Sequence, residues 1–206
     1  GLAYEGYKVF VTSFAPFLSM RASEHIRMNL GYMQHPVNLV ALGSGLAMGY
    51  LGNSHFGLED ISYMRSIPNM NISCPADCSE LAKILLDYSQ HNRGPSYTRL
   101  TGVPGSISFY EDDYNYEFSK KVIVGNGNDI LIISHGAVAA QCKLAHNIIK
   151  ESGIESKLVN VHTIKPLDPT LIDELKNYNK IVIVEEHSII GGLTSIISEI
   201  IASNDL

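Results

Sequence analysis

GNSHFGLEDISYMRSIPNMNISCPAD, residues 52–77, joins a histidine-bearing loop to a helix and a strand. The glycine-rich loop carries His55, and the apolar residues that follow recur at helical spacing until Pro68 ends the segment. The next run, MNISC, has the composition of a short strand. A loop that brings a histidine to the edge of a sheet predicts a ligand-binding position, although an isolated histidine in a turn is more often solvated or structural.

The alternation of strand and helix extends through the first half of the chain. Runs rich in β-branched and aromatic residues predict strands, and amphipathic runs predict the helices between them. Strands that alternate with helices of this length favour parallel pairing through right-handed crossovers. The predicted strands are 8–14, 37–42, 70–74 and 95–100, and the predicted helices are 17–33, 58–66 and 78–90.

The second half repeats this pattern after a stretch without periodicity. Residues 101–120 combine Pro104 and Gly105 with acidic residues and tyrosines, which predicts a linker. We expect the tyrosine rings to be buried against the two domains while their hydroxyl groups stay in water. Beyond the linker the predicted strands are 130–135, 157–164 and 180–187, and the predicted helices are 136–153, 169–177 and 191–203.

These patterns predict an α/β protein with two successive domains and mostly parallel sheets. We place the first domain at residues 1–103, the linker at 104–119 and the second domain at 120–206. The N-terminal residues GLAYEG are typical of the end of a helix capped by Gly6. We therefore expect the first domain to lack its N-terminal part.

The composition favours a globular protein without a polyanionic partner. Of the 206 residues, 45% are hydrophobic and 17% charged, and the net charge is -6. Because no basic run offsets the negative charge, we expect neither nucleic acid nor an anionic membrane as a partner. No apolar run approaches the roughly 20 residues of a membrane span. The three cysteines, Cys74, Cys78 and Cys142, cannot all pair, and we expect buried, reduced thiols in a cytoplasmic protein.

Three consecutive ionisable residues, Glu185, Glu186 and His187, end the last predicted strand. Their side chains have the chemistry of a metal site or an acid–base pair. Successive residues of a strand point to opposite faces, however, so these side chains should diverge. We expect a structural role for them, and no metal site in this chain.

Residues 54–77 resemble the pyrimidine-binding domain of transketolase and of its relative deoxyxylulose-phosphate synthase. The matching residues are Ser54-His55, Glu59-Asp60, the run MRSIPN at 64–69 and Pro75-Ala76-Asp77. The second half resembles the C-terminal domain of the same enzymes. The matching segments there are 129–136, TIKPLD at 163–168, VEEH at 184–187 and GGL at 191–193. The resemblance covers almost the whole chain.

The resemblance implies a cofactor, thiamine diphosphate, held between two domains. In the family the diphosphate and Mg²⁺ bind to an N-terminal half that these residues do not contain, and aromatic residues stack on the aminopyrimidine. The family pattern F-x-x-F-x-x-(Y/F) falls on Phe14, Phe17 and, as a departure, Met20. Without the resemblance, these three would equally be ordinary core residues at helical spacing.

The resemblance also implies two residues that contact the substrate. His55 matches the family histidine that contacts substrate hydroxyls and helps to move protons. Arg99 matches an arginine that binds the sugar phosphate, although an arginine there is also compatible with a surface ion pair. The expected function is that of the C-terminal section of a transketolase. It would transfer a two-carbon ketol unit between phosphosugars together with an N-terminal half, as a homodimer or heterotetramer.

Two positions depart from transketolase proper. Many transketolases place a histidine eight residues ahead of an aspartate in the loop before His55, whereas this chain has Gly43 and Leu51. A leucine cannot hydrogen-bond a sugar hydroxyl, so the usual sugar is in doubt. Three alternatives therefore stay open: a deoxyxylulose-phosphate-synthase-like condensation, the β-subunit of a 2-oxoacid dehydrogenase, and a non-catalytic module of the same fold.

Overall fold

The runs rich in β-branched and aromatic residues form two sheets in the structure, a computed structural model that describes residues 1–101 and 107–206. The first sheet has the strand order β1-β2-β4-β3-β8. Strands β1 to β4 pair in parallel, as predicted, and β8 is antiparallel to β3. The strands of this sheet are β1 (Val9–Phe14), β2 (Val37–Leu42), β3 (Asn71–Ser73), β4 (Ser96–Arg99) and β8 (Thr163–Lys165).

The second sheet has the order β5-β7-β6-β9. Strand β6 pairs in parallel with β7 and with β9, and β5 pairs antiparallel with β7. Its strands are β5 (Val122–Val124), β6 (Ile130–Ser134), β7 (Ser156–Asn160) and β9 (Ile181–Val184). The two mostly parallel sheets confirm the predicted α/β class.

Helices connect the parallel strands. The helices are α1 (Ser23–Ile26), α2 (Asp60–Ser66), α3 (Cys78–Gln90), α4 (Val138–Glu151), α5 (Leu171–Lys176) and α6 (Leu193–Ser203). The sequence predicted one continuous helix over 17–33, but α1 is flanked by π-helical turns at Phe17–Arg21 and Arg27–Tyr32. Within this segment the Ser19 hydroxyl donates to the Ala15 carbonyl at 2.6 Å, a contact of the kind that bends helices.

Two strands differ from the prediction. The predicted strand 157–164 is broken after Asn160, and its continuation, β8, leaves the second sheet to join the first. The Cys74 amide donates to the His162 carbonyl at 2.7 Å at this crossing point. Strand β5 was not predicted, because its three residues are too few to establish a period.

The described part of the predicted linker, residues 107–119, packs against α3. The rings of Tyr110 and Tyr114 stack 3.8 Å apart, and both hydroxyls donate to the buried Glu80 carboxylate. The expectation that the linker hydroxyls stay in water is therefore wrong for these two tyrosines. The predicted boundary at residue 103 and the linker residues 104–106 lie outside the described residues.

The cysteines are free, as expected, but only two are buried. Cys78 is exposed because it is the first residue of α3, whereas Cys74 and Cys142 lie in the cores. In the part of the chain that the structure describes, no helix combines the length and the apolar character needed to cross a membrane.

Candidate functional site

Parallel strands bring three of the predicted site residues to one edge of the first sheet. Phe14 is the last residue of β1, Arg99 is the last residue of β4, and the loop that leaves β2 carries His55. In an open α/β sheet, ligands bind outside the carboxyl ends of the strands. The sheet thus places these residues where a ligand site is expected.

An aromatic cluster forms where these segments meet. The ring centroids of Phe14 and Phe17 lie 5.8 Å apart, and the His55 ring lies 5.5 Å from Phe14 and 5.2 Å from Phe17. All three pairs meet edge to face, the arrangement that aromatic rings favour over a face-to-face stack. All three side chains are half-buried and keep contact with solvent.

Met20, the third member of the predicted aromatic pattern, is 41% exposed. The structure instead places the Arg21 guanidinium over the Phe17 ring, 3.9 Å from its centroid. Sequence reasoning missed Arg21, although its spacing of four residues from Phe17 in a helical segment is a signal for such a contact.

Glycines close the loop that carries His55. Gly45 and Gly57 form an antiparallel bridge, with N–H···O distances of 2.8 and 3.0 Å. Between them lie two short 3₁₀ turns, Gly49–Leu51 and Asn53–His55. Residues 45–57, called the His55 loop below, are therefore held together at their base while His55 projects onto the aromatic cluster.

Arg99 lies beneath the His55 loop and is only 4% exposed. Its Nε donates to the Asp60 carboxylate at 2.9 Å, and its Nη2 donates to the carbonyls of Gly57 and Glu186, each at 2.8 Å. Burial alone would lower the pKa of Arg99, but the Asp60 carboxylate beside it raises this pKa above its usual value. These contacts show that the guanidinium supports the loop from inside the protein and is not part of a surface ion pair. The phosphate-binding role of Arg99 stays a prediction.

Glu185, Glu186 and His187 make separate contacts, although β9 ends at Val184 and the predicted strand 180–187 is too long. The Glu185 carboxylate accepts the backbone N–H groups of Leu193 and Thr194 at the start of α6. The Glu186 carboxylate reaches the first half of the chain and accepts the Leu46 N–H at 2.7 Å. The His187 Nε2 faces the Ile61 N–H at 3.2 Å, while its Nδ1 faces the Ser188 carbonyl.

The tautomer of His187 follows from these two contacts. A ring nitrogen that faces a carbonyl must donate, and one that faces a backbone N–H must accept. These contacts favour the tautomer of His187 that carries its hydrogen on Nδ1. His187 lies in the interface between the two halves of the chain, with Nε2 3.7 Å from the Asp60 carboxylate.

The two positions that depart from the transketolase pattern, Gly43 and Leu51, lie just before the His55 loop and within it, respectively. Gly43 has a φ of +65°, and a Cβ atom there would lie 2.6 Å from the Met48 Cγ and 3.2 Å from the Phe14 Cδ1. The loop as folded here has no room for a side chain at residue 43. Leu51 ends the first 3₁₀ turn and is 41% exposed.

The aromatic cluster has the chemistry to hold a planar heterocycle such as the pyrimidine ring of thiamine diphosphate. Its half-buried rings offer apolar contact area at the edge of the sheet, next to the Arg21 guanidinium. Among residues 1–101 and 107–206, no group of three or more His, Cys, Asp or Glu side chains could hold a metal ion.

Comparison with known proteins identifies both halves of the chain. Residues 1–101 match the model of the transketolase pyrimidine-binding domain, and residues 119–206 match the model of the transketolase C-terminal domain. A protein of Methanocaldococcus jannaschii, provisionally named a transketolase C-terminal section, is 38% identical over 207 residues. That match covers 100% of this chain and 65% of the relative.

Two further relatives carry more specific names. One subunit of an apulose-4-phosphate transketolase from Phocaeicola vulgatus is 33% identical, over 99% of this chain and 65% of the relative. A 1-deoxy-D-xylulose-5-phosphate synthase from Prochlorococcus marinus is 32% identical, over 100% of this chain and 32% of the relative. The chain thus spans about two thirds or less of the lengths of these relatives.

A solved structure described as a split gene transketolase, in an inactive β4 tetramer, superposes with a TM-score of 0.84. It is 31% identical to this chain, and the match covers 98% of this chain and 65% of the solved one. Transketolase structures from Pichia stipitis, at 20% identity and a TM-score of 0.70, share the fold. The chain belongs to the transketolase family and contains the pyrimidine-binding and C-terminal domains of its C-terminal section.

Proposed function

We propose that this chain works as the C-terminal subunit or section of a thiamine-diphosphate-dependent transketolase. It transfers a two-carbon ketol unit between phosphosugars, as part of cytoplasmic carbohydrate metabolism. An N-terminal transketolase half supplies the diphosphate and Mg²⁺ sites, in a homodimer or a heterotetramer. The relative named as one subunit of an apulose-4-phosphate transketolase and the split gene transketolase support this arrangement.

The observation that carries the proposal is the meeting of Phe14, Phe17 and His55 at one edge of the first sheet. These residues come from a strand end, a helical turn and a loop, and their ring centroids lie within 6 Å of each other. An aromatic surface next to a histidine suits a site that holds a planar ring and moves protons beside it.

Each residue of the cluster takes one task in this proposal. Phe14 and Phe17 hold the aminopyrimidine, and Met20 extends the apolar surface at the rim, where a thioether can pack on a ring. Thiamine diphosphate, when bound, supplies the carbanion chemistry that cleaves and forms the carbon–carbon bond. His55 binds substrate hydroxyls and holds or accepts a proton during that cleavage.

The binding test is calorimetric titration of thiamine diphosphate with Mg²⁺, into this chain alone and into its mixture with the N-terminal half. We expect heat of binding only in the mixture, because this chain offers the pyrimidine surface alone. Absence of binding in both would contradict the proposal and favour a non-catalytic module.

The catalytic test replaces His55 with alanine in the assembled enzyme. We expect ketol transfer to fall by about 10²- to 10⁴-fold, the range typical of a lost general acid–base group, while cofactor affinity stays the same. His25→Ala is the matched control, since His25 is exposed on α1, outside the aromatic cluster. Unchanged turnover in His55→Ala would remove the catalytic assignment.

A second candidate reaction is the condensation of pyruvate with an aldehyde phosphate. Gly43 and Leu51 favour it, because neither provides a polar group for the hydroxyls of a longer sugar. The 1-deoxy-D-xylulose-5-phosphate synthase relatives, which match over the full length of this chain, support it as well. Assaying the assembled enzyme with pyruvate as donor distinguishes the two: carbon dioxide release would favour condensation, and its absence would favour ketol transfer.

A further inference from the structure

The His55 loop is held by the second half of the chain as well as by its own glycine bridge. Segment 185–188, which follows β9, approaches the base of the loop from the other side of the interface between the halves. The Ser188 N–H donates to the Leu58 carbonyl at 2.9 Å, directly after the loop ends. Of this segment, Glu186 makes contacts that involve both ends of the loop.

The Glu186 side chain holds the first end. Its Oε1 accepts the Leu46 N–H at 2.7 Å, across 140 residues of sequence. The carboxylate lies directly against Gly45, where an added Cβ atom would come within 2.5 Å of Oε1. Gly45 also has a φ of +68°, which favours glycine. A glycine at residue 45 is therefore what lets the carboxylate reach the loop.

The Glu186 main chain holds the second end through Arg99. The Glu186 carbonyl and the Gly57 carbonyl both accept from Arg99 Nη2, each at 2.8 Å. Because Asp60 fixes the same guanidinium through Nε, the position of Arg99 is determined by groups from both halves. One residue of the second half thus fixes where the His55 loop begins and, through Arg99, where it ends.

The side-chain contact of Glu186 is chemically specific. A carboxylate that accepts a backbone N–H makes a charge-assisted hydrogen bond, which is stronger than one between neutral groups. A glutamine can still accept that hydrogen bond with its amide oxygen, whereas an alanine cannot. This difference provides a conservative variant that tests the contact itself.

We propose that Glu186 is a positioning residue, which sets the place of His55 against Phe14 and Phe17 by anchoring the His55 loop. This inference rests on the proposed function of His55, and it gives the C-terminal domain a direct part in the site. Glu186 itself touches neither substrate nor cofactor in this proposal.

The first test observes the His55 ring in the full chain by NMR, with ¹³C-labelled histidine and assignment through His55→Ala. The aromatic rings of Phe14 and Phe17 next to His55 shift the His55 resonance away from that of the exposed His25. We expect Glu186→Ala to move the His55 resonance toward that of His25, and Glu186→Gln to leave it nearly in place. The buried His146 reports on folding, and its resonance should stay unchanged in both variants. A His55 resonance unaffected by Glu186→Ala would overturn the inference.

The second test is a double-mutant cycle in the assembled enzyme. Small displacements of a catalytic group can cost about 10²-fold in rate, so we expect Glu186→Ala to lower kcat by about 10- to 100-fold with KM nearly unchanged. Glu186→Gln should recover most of this loss. Glu59→Ala is the control, because Glu59 is an exposed acid next to the loop that forms no side-chain hydrogen bond with the described residues.

The cycle separates this inference from the proposed function. If Glu186 acts through His55, Glu186→Ala should lower kcat no further in the His55→Ala background. Multiplicative losses would overturn the positioning role while leaving His55 as a catalytic residue. Full turnover in His55→Ala alone would overturn the proposed function, and the inference with it.

Discussion

Asp60 and Arg99 form an ion pair that is almost completely shielded from water. Asp60 is 0% exposed, and its Oδ2 also accepts the Tyr97 hydroxyl at 2.8 Å. A buried charge is tolerated only where its hydrogen-bonding groups have partners. Here the partners are the Tyr97 hydroxyl in β4, the Gly57 carbonyl at the base of the His55 loop and the Glu186 carbonyl just after β9.

Removing one partner of this pair should lower the free energy of unfolding more than removing both. We expect Asp60→Ala to lower the free energy of unfolding by about 3–5 kcal/mol, because it leaves the Arg99 charge buried and uncompensated. The double variant Asp60→Leu/Arg99→Met should be destabilised less than Asp60→Ala alone. Urea denaturation measures both effects.

The control for this prediction is the exposed pair of Glu24 and Arg27, whose side chains are 66% and 55% accessible. Exposed pairs contribute little because solvent screens them, so Arg27→Ala should change the stability little. If Asp60→Ala is as stable as Arg27→Ala, groups other than Asp60 stabilise the buried Arg99 charge, and the prediction is wrong.

The sequence predicts where the aromatic cluster lies better than it predicts the contacts of Arg99. The resemblance to the family assigns Phe14, Phe17 and His55 to the site. Local pattern then places them at the end of a predicted strand, at the start of a predicted helix and in a loop, respectively. The burial of Arg99 depends on Asp60, which lies 39 residues away in sequence, and on a carbonyl of the second half. No local spacing encodes such partners, so the sequence does not predict that the Arg99 guanidinium is buried.

At the scale of single elements, Glu185 determines how α6 begins. Its carboxylate accepts the Leu193 N–H at 2.7 Å, and the Thr194 N–H and hydroxyl at 2.9 and 2.6 Å. Burial alone would raise the pKa of Glu185, but the nearby His135 ring and these donors lower it to about 2. The unpaired N–H groups and the positive end of the helix dipole favour a carboxylate at this place.

This depressed pKa predicts how acid destabilises the protein. A carboxylate whose pKa falls from 4.5 to about 2 on folding contributes stability above pH 4.5, and this contribution is lost as the pH falls toward 2. We expect Glu185→Gln to be less stable than the wild type at neutral pH, and the difference to shrink as the pH falls below about 4.5. Urea denaturation over a pH series measures this difference. The exposed Glu151→Gln is the control, and a gap for Glu185→Gln that is independent of pH would contradict the assignment.

Strands and helices with strong local patterns were predicted, whereas elements that depend on distant pairing were not. The runs of β1, β2, β6 and β9 are long enough to show their β-type composition. Strand β8 has only three residues, and its sheet is determined by its contact with β3, about 90 residues earlier in the chain. The run 157–164 looks continuous in sequence because both of its pieces are strands.

At the scale of the whole molecule, the two halves share apolar cores. Ile164 and Ile196 from the second half are buried in the core of the first sheet. Leu167 and Ile200 pack against this core and against the core of the second sheet. Strand β8, the Arg65–Glu199 ion pair and the contacts of Glu186 add polar links between the halves. Two domains that are successive in sequence are thus joined across one continuous interface.

This joined interface predicts that the chain unfolds as one cooperative unit. Separating the halves would expose Ile164 and Ile196 and break β8 from its sheet, so neither half should retain its stability after the other unfolds. The sequence contains no tryptophan, so the single replacements Phe10→Trp and Ile123→Trp each report on one half from an exposed strand position. We expect the two variants to show coincident denaturation midpoints by fluorescence, each matching the loss of helix followed by circular dichroism. The opposite outcome is a different midpoint for each reporter, with the helix signal lost in two steps. It would show that the halves fold independently and that the interface contributes little to stability.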